Sequence, residues 1–425
     1  MGHSKKTDET LHEAASAIDL KKRRGTLWVG SGAHFMHDGF ADMLYLLLPV
    51  WQAEFALSLT QVGFLRTAYS GAMALLQVPA GILAERWGER ILLCSGTLVT
   101  GLAYLSLGSS GGHLTLLFVL LVGGAGSTVQ HALCSSLISK AYEHGLRREA
   151  LGVYNFAGDL GKVAVPFLVA MAVSGFGWRW ATTGIGVLGV SSGILAYLLL
   201  SALGAGARPT MAVATQFTKN KPVLQKRDWG VTDRSGFAAL SAIGILDGAA
   251  RSGFLTFLPF LLISKGAEVE TIGVALALTF AGGATGKFFC GFLAARLGII
   301  RTVILTEALT CIGIALVLPL PLYWTMALLP VIGMGLNGTS SVLYGTVSDF
   351  VRPERQVRGF GLFYTLAIGG GASAPVLFGL LSDYTNVEVT LKVVALVAFA
   401  TIPICKFLVK PLARAEKQFG VKTEA

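Results

Sequence analysis

Gly81-Ile-Leu-Ala-Glu85-Arg86-Trp-Gly88-Glu89-Arg90 sets how the rest of this chain is read, because it returns in shortened form 210 residues later as Gly291-Phe-Leu-Ala-Ala295-Arg296-Leu-Gly298. In both places a short charged turn bounded by glycines separates two long apolar stretches. The glycines permit a tight turn and close helix approach. The carboxylate and arginines of the first copy can form ion pairs with a neighbouring segment. Ala295 stands where the first copy has Glu85, so any latch built from these loops is expected to be asymmetric.

Working outward, apolar windows of about 20 residues, enough to span a bilayer core as helix, recur through the 425-residue chain. They lie near 26–50, 60–83, 91–109, 114–139, 150–174 and 181–203, then near 235–262, 271–294, 302–320, 324–348, 358–381 and 391–409. Only 14% of residues are charged and 53% are hydrophobic, which excludes an ordinary soluble domain. Each window must be helical, since an unpaired backbone amide in hydrocarbon costs several kcal/mol. The expected fold is therefore an all-α membrane protein of twelve transmembrane helices. The polar leader through Arg24 has no short apolar stretch with a small-residue cleavage site and is expected to stay attached. The five cysteines sit in apolar stretches without CxxC spacing and read as small buried hydrophobes.

The repeat extends beyond the loop. A shift of 209 lays Asp38-Gly39 on Asp247-Gly248, and Gly152, Gly161 and Pro166 on Gly361, Gly370 and Pro375. Two parallel six-helix bundles follow, with the substrate path between them. The expected divisions are a cytoplasmic leader (1–25), a first bundle (26–203), a basic linker (204–233), a second bundle (234–409) and a cytoplasmic tail (410–425). Of the 34 Lys and Arg, 27 fall on the leader, linker, tail and loops of one side, while Arg179, Lys265 and Lys392 fall on the other. The positive-inside rule then puts both termini in the cytoplasm. The net charge of +10 needs anionic lipid headgroups as its partner, not nucleic acid.

The Gly81–Arg90 motif resembles the cytoplasmic-loop signature of the major facilitator superfamily, Gly-x-Leu-Ala-Asp-Arg-x-Gly-Arg-Arg/Lys. The resemblance implies the major facilitator fold, a functional monomer, and a conformational latch made by Gly81, Glu85, Arg86, Gly88 and Arg90. His34-Phe35-Met36-His37-Asp38 with Pro49, Leu59-Thr60-Gln61-Val62-Gly63, and Gly126-Ser127 with His131 are similar to the fosmidomycin-resistance branch. Ala132-Leu133 replaces the Pro-Glu expected after the span-four His, and Gly158 to Pro166 matches the antiporter signature of span five only loosely. Drug export is thus what kinship implies.

Ionisable groups inside spans cost at least about 2.5–3.5 kcal/mol each and are functional candidates. His34, Asp38 and Asp42 recur at four-residue spacing in span one, with Asp38 about 18 Å from Thr26 along the helix. Asn155, Asp159 and Lys162 share a face of span five, and Asp247 and Arg251 lie one turn apart in span seven. Asp159 with Lys162, and Asp247 with Arg251, can equally be local ion pairs. Glu307, one turn inside span nine, reads as interfacial. Arg66, Arg251 and Lys287 are the expected contacts to an anionic solute, since Arg supplies forked donors and Lys a point charge. Tyr69, Asn155, Gln130, Asn337 and Tyr364 are candidate neutral donors. Asp38, Asp42, His34, Asp159, Lys162 and Asp247 are the candidates for proton coupling, because a desolvated carboxylate beside a cation changes its proton affinity when the pairing changes.

The function expected is secondary transport of a small polar, anionic solute through the bacterial cytoplasmic (inner) membrane by alternating access, as proton-coupled export. The alternatives are uptake of an organic anion by symport or exchange, and a non-transporting receptor. HExxH, GxSxG, a Walker loop and Cys/His metal spacing are absent from the sequence, so neither an enzyme nor a cofactor or metal is expected.

Overall fold

The computed structural model describes residues 2–142, 144–207, 229–352 and 355–419. Those residues form α1 (Gly2–Asp42), α2 (Leu44–Phe55), α3 (Leu59–Trp87), α4 (Glu89–Leu107), α5 (His113–Ser127), α6 (Gln130–Ala141), α7 (His144–Phe176) and α8 (Trp178–Ala202). After the linker come α9 (Arg234–Ser264), α10 (Val269–Leu297), α11 (Ile299–Val317), α12 (Leu322–Thr346), α13 (Gln356–Tyr384), α14 (Val387–Ile404) and α15 (Lys406–Phe419). Most of the expected linker, 208–228, lies outside the described residues. Among the described residues, eleven helical segments are long and apolar enough to cross a membrane.

The repeat is visible in the helices themselves. α3 and α10 each have 29 residues and α4 and α11 each have 19, and the two pairs start 210 positions apart. The hinge between them is a glycine with left-handed φ in both copies, Gly88 at 86° and Gly298 at 83°, a conformation that other residues adopt only under strain. α1–α8 pack together as one bundle and α9–α14 as the other.

Two expected spans are drawn differently by the chain. The window 26–50 is not one helix: it is interrupted at Met43 between α1 and α2. Pro49 cannot donate to the Tyr45 carbonyl, and two side chains take carbonyls just before the break. The Tyr104 hydroxyl donates to Phe40 O at 2.7 Å, and Arg66 Nη1 to Ala41 O at 2.9 Å. The last span stops at Ile404 rather than 409, and Lys406–Phe419 forms α15. Lys406, Lys410, Arg414 and Lys417 recur along α15 at near-helical spacing. Arg414 fastens α15 to the start of α9 through Asp233, 2.7 Å away. Glu307 also departs from expectation: it is buried in the second bundle at 1% exposure, not interfacial.

The two bundles meet tightly at one end. A Cβ on Gly63 of α3 would lie 2.2 Å from Pro375 O of α13, and one on Gly273 of α10 would lie 2.3 Å from the Ala170 Cβ of α7. Asp383, at the far end of α13, accepts hydrogen bonds from the Leu59 and Thr60 amides at 2.7 and 2.9 Å and from the Thr60 hydroxyl at 2.5 Å. A carboxylate of one bundle thereby caps the helix of the other. Toward the basic end, where Arg86, Arg90 and Arg296 lie, Gly81, Gly152, Gly291 and Gly361 on the same four helices have nothing within 4 Å of a Cβ. The bundles therefore part toward that end. Asp383→Ala is expected to loosen the closed end by about 1 kcal/mol, the usual worth of such a cap. Faster labelling of a cysteine placed at Ala170, in a chain lacking its native cysteines, would report it.

Candidate functional site

The cleft between the bundles is lined in mid-membrane by charged side chains that are partly exposed although they sit halfway along their helices. Lys162 of α7, Lys287 of α10 and Arg251 of α9 are each about a quarter to a third exposed. His131 of α6 is 46% exposed, and Asn155 and Tyr364 are exposed as well.

The pairing of these groups differs from the local pairs that spacing suggests for α7. Lys162 turns to α1, with Nζ 3.3 Å from Asp38 Oδ2 and 3.9 Å from Asp42 Oδ2. Asp159 instead reaches across the cleft to Lys287, 2.5 Å away. Residues 159 and 162 are three apart and about 5 Å separates their Cβ atoms, so each can find a better partner on the helix it faces. Arg251 does keep its local partner, with Nη2 3.8 Å from Asp247 Oδ2.

Around Asp38 the structure gathers three histidines. His34 Nε2 stands 3.3 Å from Asp38 Oδ2, and His37 and His131 stand 3.9 and 3.7 Å from Oδ1. Gly158 makes room for them: a Cβ there would be 2.5 Å from the His34 ring. The His34 ring stacks on Tyr154, and its Nδ1 hydrogen-bonds the Tyr154 carbonyl at 2.8 Å. A carbonyl only accepts, so Nδ1 carries hydrogen, and in a neutral ring Nε2 is then a bare lone pair. That atom is buried without a hydrogen-bond partner. His34 Nε2 and Asp38 Oδ2 thus face each other as two acceptors.

The ligand atoms of His34, Asp38 and His131 lie within 4.8 Å of one another, and their donor types suit a metal ion. Lys162 already holds the same Asp38 oxygen. A dication would meet that ammonium across a single shared carboxylate, which disfavours a metal at this set.

Arg66 is buried inside the first bundle. Besides Ala41 O it donates to the Tyr45 hydroxyl at 2.8 Å, and it lies 3.8 Å from Asp42. In this conformation it holds the kink of α1–α2 instead of facing the cleft. Tyr69, Gln130 and Asn337 are likewise buried within bundles. The Tyr69 hydroxyl bonds Ser127, and Gln130 lines a small pocket of the first bundle with His37 and Ser127. Tyr364 stacks on Tyr344 at 4.3 Å beside the cleft.

Of the expected latch, Arg90 makes its bonds within the first bundle in this state. The Arg90 amide donates to Gly206 O and its side chain lies over Tyr197, while Arg86 is exposed. The side chain of Glu85 lies outside the described residues. Glu89, which the motif reading passed over, is buried and bound by Ser136 and Lys140 of α6. His37, the Tyr154 carbonyl, Glu307 and Asp383 were also missed as contributors. Among them, His37 and Glu307, ionisable residues within spans, carried a sequence signal to follow.

A family model, the Major Facilitator Superfamily, matches residues 30–245 and 240–424. The chain is 24% identical over 409 residues to the fosmidomycin resistance protein of Escherichia coli (strain K12), covering 93% of this chain and 95% of that protein. It is 24% identical over 398 residues to the hexuronate transporter of Bacillus subtilis (strain 168), covering 87% and 90%. Among solved structures it is similar to a bacterial homolog of the human lysosomal transporter Spinster in an inward-facing, occupied conformation. The TM-score is 0.70 with 17% identity, over 94% of this chain and 98% of that one.

Proposed function

The chain belongs to the major facilitator superfamily of membrane transporters, and from that membership we propose that it carries a small anionic solute by alternating access, linked to protons. The observation that carries this reading is the charge balance of the cleft and of the buried groups that border it. Lys162 and Arg66 face Asp38 and Asp42, Lys287 faces Asp159, and Arg251 faces Asp247. Written with neutral histidines, these groups sum to zero. A proton added at His34 or Asp38 leaves the cleft positive by one, and an anion restores neutrality. Arg251 and Lys287, both partly exposed, are the contacts we assign to the anion, with Asn155 and Tyr364 as neutral donors. Arg66 positions α1 against α3.

The open end is basic, which by the positive-inside rule is the cytoplasmic side, with both termini there and the protein in the bacterial inner membrane. Export, which the name of the E. coli relative suggests, needs proton and solute to compete for the site. The charge balance makes them bind together, and that observation favours the second reading, uptake of an organic anion with a proton. The name of the Bacillus relative, a transporter of a sugar acid, agrees with the anionic class.

Detergent-purified protein is expected to be stabilised against heat by one class among organic acids, phosphonates and sugar acids. Arg251→Ala and Lys287→Ala should each weaken that binding by about ten- to a hundredfold, the loss of a charge-assisted contact worth about 1.5–3 kcal/mol. Stabilisation only by lipophilic cations, untouched by either change, would sink the anion reading. Proteoliposomes with an internal pH dye decide direction: inward anion flow that acidifies the lumen means symport, and alkalinisation means exchange for protons.

A further inference from the structure

A second acid–acid contact lies away from the Asp38 cluster, inside the second bundle. Asp247 of α9 and Glu307 of α11 are 5% and 1% exposed. Their carboxyl groups are within hydrogen-bonding contact of each other, and Glu307 also touches Thr339 of α12 and Thr401 of α14. The Glu307 Oε1 atom is buried without a partner. The one cation facing the pair is Arg251, 3.8 Å from Asp247. Tyr344 of α12 faces Arg251 and Asp247, and the Cys311 and Cys405 thiols are the other titratable groups near Glu307.

Carboxylates have only acceptor atoms, so two of them in contact cannot both be ionised in a dry interior. One guanidinium balances one negative charge. We infer that Asp247 and Glu307 together form a buried proton-binding site that holds one proton in the conformation described, with Arg251 as its gate to the cleft. Asp247 faces both Arg251 and Glu307, so the proton resides on Glu307 while Arg251 stays on Asp247. When an anion draws Arg251 off, Asp247 loses its counter-ion and the pair takes up a second proton. When Arg251 returns, that proton is expelled. This gating rests on the proton-linked anion reading above, whereas the protonation of Glu307 does not.

Difference infrared spectroscopy of the full-length protein in lipid, exchanged between H₂O and D₂O at neutral pH, tests the site. The wild type should show a protonated-carboxyl C=O band that shifts on exchange and is missing from Glu307→Gln. Asp247→Asn should also lose it, because Arg251 then has no carboxylate on its own helix and its charge turns to Glu307, which ionises. A wild type without such a band, or a band that survives undiminished in both variants, overturns the inference. Thermal stabilisation by anions, measured on the same samples, reports separately on the proposed function. If no anion stabilises the wild type while the band is present and lost in the variants, the transport reading fails and the proton site stands.

Discussion

An Asp38→Asn variant will lose proton-linked transport while remaining in the membrane, and it will unfold more easily by about 3 kcal/mol, the low end of the cost of breaking a buried ion pair. The low end applies because Lys162 keeps Asp42 at 3.9 Å as a second partner. The Asn amide can also turn its NH2 toward His34 Nε2 and donate to that lone pair, so the cluster has no reason to hold a proton. A double variant, Asp38→Asn with Lys162→Met, separates the two effects. Removing both charges leaves no uncompensated ion, so stability should return to within about 1 kcal/mol of wild type. Transport coupled to a pH gradient should not return. Unchanged pH-gradient dependence in the single variant would end the assignment of Asp38 to coupling. Recovery of coupled transport in the double variant would mean that Asp38 serves only to hold α1 against α7.

Gly63→Leu is expected to drive the transporter toward a state open at the opposite end. Gly63 faces the backbone of Pro375 so closely that even a Cβ would sit 2.2 Å from its carbonyl oxygen. Backbone cannot yield as a side chain does, so α3 and α13 must separate. Overpacking costs about 1–3 kcal/mol, and because the strain exists only where the bundles touch, it shifts the equilibrium about 5- to 150-fold. A cysteine at Ala170, fully buried in the described state, should become reactive toward a membrane-impermeant maleimide by that factor. Gly152→Leu, at a position with open space around it, is the control and should leave labelling unchanged. Equal labelling in Gly63→Leu and wild type would mean that this contact does not limit opening.

The residues lost from view when only the chain was read are the ones whose partners lie far along it. Asp383 caps a helix 324 positions away, and nothing near Tyr384 signals that. Lys162 and Asp159 look like mutual partners along the chain, yet each pairs with another helix. Arg66, the most attractive lone cation of the first half, is spent on the kink at Met43. Glu307 seemed interfacial because depth was counted along one helix, and burial is set by the neighbours of that helix. In the metal-capable grouping, His34 and Asp38 show helical spacing, but His131 joins them from α6, which spacing along the chain does not reveal.

Everything that depends on local periodicity was readable from the order of residues: apolar windows of membrane-spanning length, the twofold repeat with its glycine hinges at Gly88 and Gly298, and the superfamily. Hydrophobicity over 20 residues is a property of a segment by itself, because the bilayer imposes the same demand on every span. Which charge meets which was decided only by tertiary structure. A buried ion takes the partner that packing brings within about 4 Å, and in a bundle that distance is fixed by helix contacts between residues distant in the chain.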